Sequence, residues 1–251
     1  MEKVIGILGG MGPEATMDCF DKIIKNTPAA KDQDHLRVVI DSNPNVPDRT
    51  AAIIGDGQSP VPAMVAGCHA LQRAGADFII IPCVSAHVFL ADVRQQIELP
   101  VLSIFDAVAE AVTRDFPEIK VAGLLGTTGT VSGGLFQERL AQEDITTLVP
   151  DKEMQSRVME AIYDIKNAHA ARTRSEVTTD LIAAGESLIS RKPEGAQGII
   201  AGCTEVPLAL KQKHLSIPYF DAVTILARAA IIKAGIRPNH NPSLFSEHPV
   251  V

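Results

Sequence analysis

Short unbroken apolar runs alternate with longer stretches in which apolar residues recur every three or four positions. The runs at 3–8 (KVIGIL), 36–41 (LRVVID), 78–82 (FIIIP), 121–125 (VAGLL) and 198–201 (GIIA) read as strands, and 100–104 (PVLSI) as a further short strand or connection. Such runs lack the in–out alternation of a sheet wetted on one face. They predict parallel sheets covered by helices on both faces. A first helix starts at Pro13, whose missing N–H costs nothing in a first turn. Further helices are expected over 62–74, closed by Gly75, and over 85–97, 152–165, 173–192 and 223–234. Strand and helix in alternation give an α/β fold.

The plan occurs twice. Ile5-Gly6-Ile7-Leu8-Gly9-Gly10-Met11-Gly12 aligns with Ala122-Gly123-Leu124-Leu125-Gly126-Thr127-Thr128-Gly129, and Ile79-Ile80-Ile81-Pro82-Cys83 aligns with Ile199-Ile200-Ala201-Gly202-Cys203. The spacing from Gly6 to Cys83 is 77 residues and from Gly123 to Cys203 is 80. Two pseudo-symmetric parallel-sheet α/β domains are therefore expected. The first spans residues 1–100 plus 212–251, and the second spans 101–211.

Composition narrows the function. The chain has 251 residues and a net charge of −7, with no basic cluster. Trp is absent and aromatics are 4%. Nucleic-acid binding is disfavoured, because phosphates need clustered Lys and Arg and bases need stacking platforms. No apolar run approaches the ~20 residues of a membrane span. The first residues do not read as a secretory leader, so a reducing cytoplasm is expected.

Each half ends a buried strand with a cysteine, Cys83 or Cys203. Ligands of parallel α/β sheets collect at the carboxyl ends of strands, and helix N–H groups there stabilise a thiolate. Cys19 and Cys68 fall within helical patterns and read as core residues. A symmetric pair of thiols suits inversion of a stereocentre. One group, as thiolate, removes a proton from one face while the other, as thiol, delivers one to the opposite face. A thiol pKa of about 8.5 leaves both states within reach.

The motifs GILGGMGPEAT (6–16), NPNVPDRT (43–50), IPCVSAH (81–87), LLGTTGTVSGGLFQ (124–137), IYDIK (162–166) and AGCTE (201–205) give the chain a family likeness. It resembles the cofactor-independent aspartate/glutamate racemases, within the larger aspartate/glutamate/hydantoin racemase group. The resemblance implies an active site in a cleft between the two domains, Cys83 and Cys203 as acid/base residues, an amino-acid substrate, no cofactor or metal, and often a homodimer. It implies that Arg49 and Lys166 contact carboxylates. Met11, Gly12, Thr127, Thr130 and Thr204 would line the site, with His87 and Glu205 in support. One position departs from the family. Its usual Pro-Cys-Asn-Thr-Ala-His reads Pro82-Cys83-Val84-Ser85-Ala86-His87 here, so Val84 removes an amide from the substrate-facing turn while Ser85 keeps a hydroxyl.

Other readings are weaker. Gly10–Ala15 fits a loose dinucleotide fingerprint with Asp41 as the ribose acid. Cys83, His87 and Cys203 are few for a metal site. No lysine is marked for pyridoxal phosphate. A racemase for another amino acid, a maleate-type cis-trans isomerase and a non-catalytic amino-acid binder remain as alternatives.

Overall fold

The computed structural model describes residues 2–167 and 169–239. They form two compact units, residues 2–107 with 223–239, and residues 108–222.

The first unit contains β1 (Ile5–Gly9), α1 (Pro13–Asn26), β2 (Val38–Ser42), α2 (Arg49–Ile54), α3 (Val61–Arg73), β3 (Phe78–Ile80), a 3-10 turn (Ser85–Phe89), α4 (Leu90–Arg94) and the start of α5 (Ile104–Asp115). Its parallel sheet has the order β2-β1-β3, with Ile7 opposite both Ile40 and Ile80. Every residue of the central strand β1 is buried, as its unbroken apolar run requires. The turn after β1 is closed by Thr16, whose hydroxyl accepts from Gly10 N–H (2.9 Å) and donates to Gly12 carbonyl (2.9 Å). Gly10 has φ +85°, and a Cβ there would lie 2.3 Å from the Asn43 backbone, so only glycine fits.

The second unit contains β4 (Val121–Gly126), α6 (Thr128–Gly133), α7 (Leu135–Ala141), β5 (Thr146–Leu148), α8 (Lys152–Lys166), α9 (Arg174–Ile189), β6 (Gly198–Gly202), α10 (Val206–Ala209) and β7 (Tyr219–Asp221). Its parallel sheet has the order β5-β4-β6-β7. Asp151 caps α8 through Met154 N–H, and Thr173 with Glu176 forms a capping box at α9. Leu125, Val158, Ile162, Leu181, Leu188 and Ile199 fill the core between these helices and the sheet. The last helix, α11 (Ala222–Ala234), returns to the first unit. There Ala234 carbonyl accepts from Lys3 N–H, and Arg228 donates to Asn26 Oδ1 at 2.8 Å.

The repeat is visible in the strand orders. β2-β1-β3 and β5-β4-β6 have the same chain order and direction. Val101 bridges Ile79 where β7 pairs with β6, and α5 or α11 follows. A further short repeat marks this point, Phe105-Asp106-Ala107-Val108 against Phe220-Asp221-Ala222-Val223.

Some expected elements differ. The helix over 85–97 is a 3-10 turn followed by the short α4, because Ala86 and His87 N–H groups bond back to the Cys83 and Val84 carbonyls. The strand over 100–104 is a single bridge, since Ser103 already caps α5 through Asp106 N–H. The Pro-rich segment SNPNVPDRT (42–50), which reads as a loop, passes into α2 at Arg49, capped by the Asp48 carboxylate. The division at 222/223 stands eleven positions beyond the expected return at 212, because β7 hydrogen-bonds to β6. Residues 240–251 of that expected segment lie outside the described residues.

Candidate active site

In the first unit, Cys83 follows β3 and opens the turn that carries Val84, Ser85 and His87, all buried. Its thiol is free and 5% exposed, with the Ser85 hydroxyl 3.6 Å from Sγ. His87 points inward. One ring nitrogen, Nε2, is 3.1 Å from Ile81 carbonyl, and Nδ1 takes a long hydrogen bond of 3.5 Å from Ile104 N–H. These partners define a neutral ring that donates through Nε2 and accepts through Nδ1. The ring also meets Phe105 edge-on, at 5.6 Å between centroids. Burial lowers its pKa to about 4, against the opposing pull of the Ile81 hydrogen bond. His87 thus ties the Cys83 turn to the start of α5.

α2, whose first residue is Arg49, packs against the same turn. Arg49 is 9% exposed, and its Nη1 donates to Val46 and Pro47 carbonyls at 3.0 and 2.9 Å. Its buried Nε has no hydrogen-bond partner among the described residues. Met11 is buried in the apolar cluster that includes Cys83 and Val46, and half-buried Gly12 begins α1 without a side-chain cap.

In the second unit, Gly126 and Gly202 are register partners, so Thr127 and Cys203 leave the sheet side by side. A Cβ on Gly126 would lie 2.9 Å from Gly202 carbonyl, which keeps these strand ends in close approach. Thr127 caps α6 by accepting from Thr130 N–H at 3.0 Å, and the two hydroxyls are 3.0 Å apart. Cys203 is 5% exposed, and its Sγ donates to Glu205 Oε2 at 2.9 Å. Thr204 Oγ1 donates to the same oxygen at 2.9 Å, and Lys166 Nζ lies 3.6 Å from Oε1. Burial, then the Glu205 carboxylate, push the Cys203 thiol well above its ordinary pKa, while Lys166 acts in the opposite direction.

Two neighbours escaped the sequence reading. Gln155 Nε2 donates to Gly126 carbonyl at 3.0 Å, and Thr128 N–H is 3.0 Å from Met159 Sδ. Both lie on α8, and with Lys166 they follow a spacing of four and seven residues along one helix face. That stripe was the available signal, but it shows no chemistry until the helix is placed over the strand ends.

The remaining cysteines lie on α1 and α3. Cys19 and Cys68 are buried, and burial together with nearby Asp41 pushes Cys68 up to about 12. Among the described residues, no three His, Cys, Asp or Glu side chains are grouped to hold a metal ion. No helix among them is long and apolar enough to cross a membrane.

Two parallel α/β units with a thiol after the same strand of each repeat define a class of two-unit α/β protein with matched cysteine sites. The chain belongs to the Asp/Glu/Hydantoin racemase family, whose profile matches residues 8–230. Among solved structures it is similar to Picrophilus torridus aspartate racemase, at 31% identity over 94% of this chain and 96% of that one, with a TM-score of 0.81. It is 29% identical to the broad specificity amino-acid racemase RacX of Bacillus subtilis, over 91% of this chain and 96% of RacX. Glutamate racemase from Francisella tularensis shares the fold, with a TM-score of 0.65 at 12% identity over 96% of this chain and 84% of that one.

Proposed function

We propose that the protein is a cofactor-independent racemase of aspartate or glutamate that works by proton transfer between two thiols. The observation that carries this reading is the matched pair of buried free cysteines. Cys83 and Cys203 follow β3 and β6, the equivalent strands of the two repeats. Each would serve one face of the substrate α-carbon. One thiolate removes the α-proton, the other thiol reprotonates the opposite face, and their roles exchange for the reverse direction. Backbone N–H groups at the start of α1 and after β6 would stabilise the carboxylate as it gains enolate character.

Arg49 supports an anionic substrate. Its buried Nε lacks a partner that a carboxylate would supply. Lys166 offers a second positive group in a chain of net charge −7. Similarity to an aspartate racemase agrees with this choice. Val84 favours a second reading, a racemase for other amino acids, since the turn lacks the family's amide and a broad-specificity racemase is among its relatives. A homodimer in a reducing cytoplasm belongs to the same proposal.

The test is incubation of the reduced protein in D₂O with single L- and D-amino acids, reading α-proton loss by NMR and enantiomers by chiral chromatography. Inversion with exchange on aspartate or glutamate is the expected result. Inversion confined to neutral or basic amino acids would transfer the proposal to the second reading. Absence of exchange on every amino acid would refute both.

A further inference from the structure

The two half-sites are not chemically equivalent. Aligning Cys83-Val84-Ser85 with Cys203-Thr204-Glu205 puts a neutral hydroxyl and a carboxylate at the same repeat position. Ser85 Oγ lies 3.6 Å from its thiol, whereas Glu205 Oε2 accepts a hydrogen bond from Cys203 Sγ at 2.9 Å. Glu205 is 3% exposed and is surrounded by donors. Thr204 and Cys203 share Oε2, and Lys166 from α8 stands at Oε1. These contacts gather two donors and an ammonium around one carboxylate, and burial with that carboxylate keeps the Cys203 thiol protonated. An ionised carboxylate at this distance opposes a second negative charge on sulfur. Moving the Cys203 proton onto the carboxylate would remove that like-charge repulsion, because sulfur gains its charge as the carboxylate loses its own.

We infer that Glu205 acts through Cys203 as its proton acceptor, and that an anionic substrate triggers the transfer by drawing Lys166 away from Oε1. The inference rests on the two-thiol reading above and adds a positioning residue to it. The step is balanced. The Cys203 S–H bond breaks and an O–H bond forms at Oε2, so thiol and carboxylate become thiolate and carboxylic acid without a change in net charge. Losing the Lys166 ammonium raises the proton affinity of Glu205 at the moment a substrate carboxylate arrives. The thiolate then takes the α-proton, and Cys83 delivers its own to the other face. Product release returns Lys166 to Oε1. Glu205 then gives its proton to water, and Cys83 recovers one. The groups that set this equilibrium are Cys203 and Glu205 on the turn and Lys166 on α8.

The test compares wild type with Glu205→Gln in two measurements on the full-length reduced protein. The first is the pH dependence of iodoacetamide alkylation at Cys203 without ligand, read by mass spectrometry, with Cys83 as the internal control. The second is kcat for α-proton exchange on the amino acid that wild type turns over. The relay predicts opposite movements. The Cys203 alkylation midpoint falls by about one pH unit or more once the carboxylate is gone. At the same time kcat falls about 100-fold, the scale of a lost proton acceptor. A lower midpoint with kcat kept or raised would overturn the relay and leave Glu205 a passive charge. An unmoved midpoint would overturn the electrostatic premise. Wild-type protein that exchanges no α-proton would overturn the racemase reading and the relay with it. If Glu205→Gln does not fold, Glu205→Asp serves. Its carboxylate is set back by one methylene, so Cys203 alkylation is expected to stay late while kcat falls about tenfold; unchanged kcat would count against the relay.

Discussion

Protonation of His87 is expected to cost the fold stability in a defined pH window. The ring is 2% exposed and lies between Ile81 carbonyl, Ile104 N–H and the edge of Phe105. Its pKa falls from 6.5 to about 4, chiefly through burial; Arg94 lowers it as well, and the Ile81 hydrogen bond and Asp106 raise it. A histidine whose folded pKa is lowered stabilises the fold fully above its unfolded pKa. That contribution is lost as pH falls from about 6.5 towards 4, because the unfolded chain binds the proton first. The whole gap, at about 1.4 kcal/mol per pH unit, is about 3 kcal/mol. Between pH 7 and pH 4.5 about 2 kcal/mol of it should disappear. Carboxylates also titrate in this range, so the contribution is isolated by comparison with His87→Gln, which cannot be protonated there. The variant loses the ring contact with Phe105 at every pH, and that constant cost cancels from the pH difference. Urea unfolding of both proteins at pH 7 and pH 4.5 measures the effect. Wild type should lose about 2 kcal/mol more than His87→Gln on acidification. Equal losses would show that His87 is not held neutral, and the account of the Cys83 turn would fail with it.

Three further outcomes follow from the same contacts. Cys83→Ser and Cys203→Ser should each lower racemisation at least about 100-fold, because a hydroxyl is a far weaker acid at neutral pH; full racemisation by either, in a chiral assay, would refute the two-thiol scheme. Arg49→Lys should raise KM for an acidic amino acid about tenfold or more, since a charged hydrogen bond contributes about 1.5–3 kcal/mol and an ammonium lacks the guanidinium fork; an unchanged KM would remove Arg49 from the site. Thr173→Ala deletes the hydroxyl that accepts from Glu176 N–H in the α9 capping box and should cost about 1 kcal/mol in urea unfolding, with kinetics unaltered.

The sequence made some parts of this molecule plain and concealed others for physical reasons. β1, β4 and β6 are fully buried strands of five or six residues, and burial on both faces writes itself as an unbroken apolar run. β5 (TTL) and β7 (YFD) have three residues each and, unlike the equally short β3 within FIIIP, sit in no continuous apolar run, so no pattern separates them from loop. The second Phe-Asp-Ala-Val would have placed β7, since it repeats the segment that follows the Val101 bridge. The cysteines were legible because each ends a buried run before a turn. The Val84 departure could be read from a family pattern alone.

The partners of those cysteines follow a different rule. Glu205 lies two residues from Cys203, and its position in the chain suggested only support. Its weight comes from geometry: one carboxylate oxygen accepts hydrogen bonds from both Cys203 Sγ and Thr204 Oγ1, and the other faces an ammonium from 39 residues earlier in the chain. The same holds for Gln155 and Met159, which become neighbours of the β4 end only because α8 crosses it. A repeated fold thus announces the paired thiols through symmetry, while the groups that make their environments differ come from one repeat alone. Two-thiol inversion needs only that one thiol be protonated and the other not, with the assignment reversed for the opposite direction, so the asymmetry at Glu205 bears on how Cys203 reaches its thiolate, and substitutions there should separate proton transfer from binding.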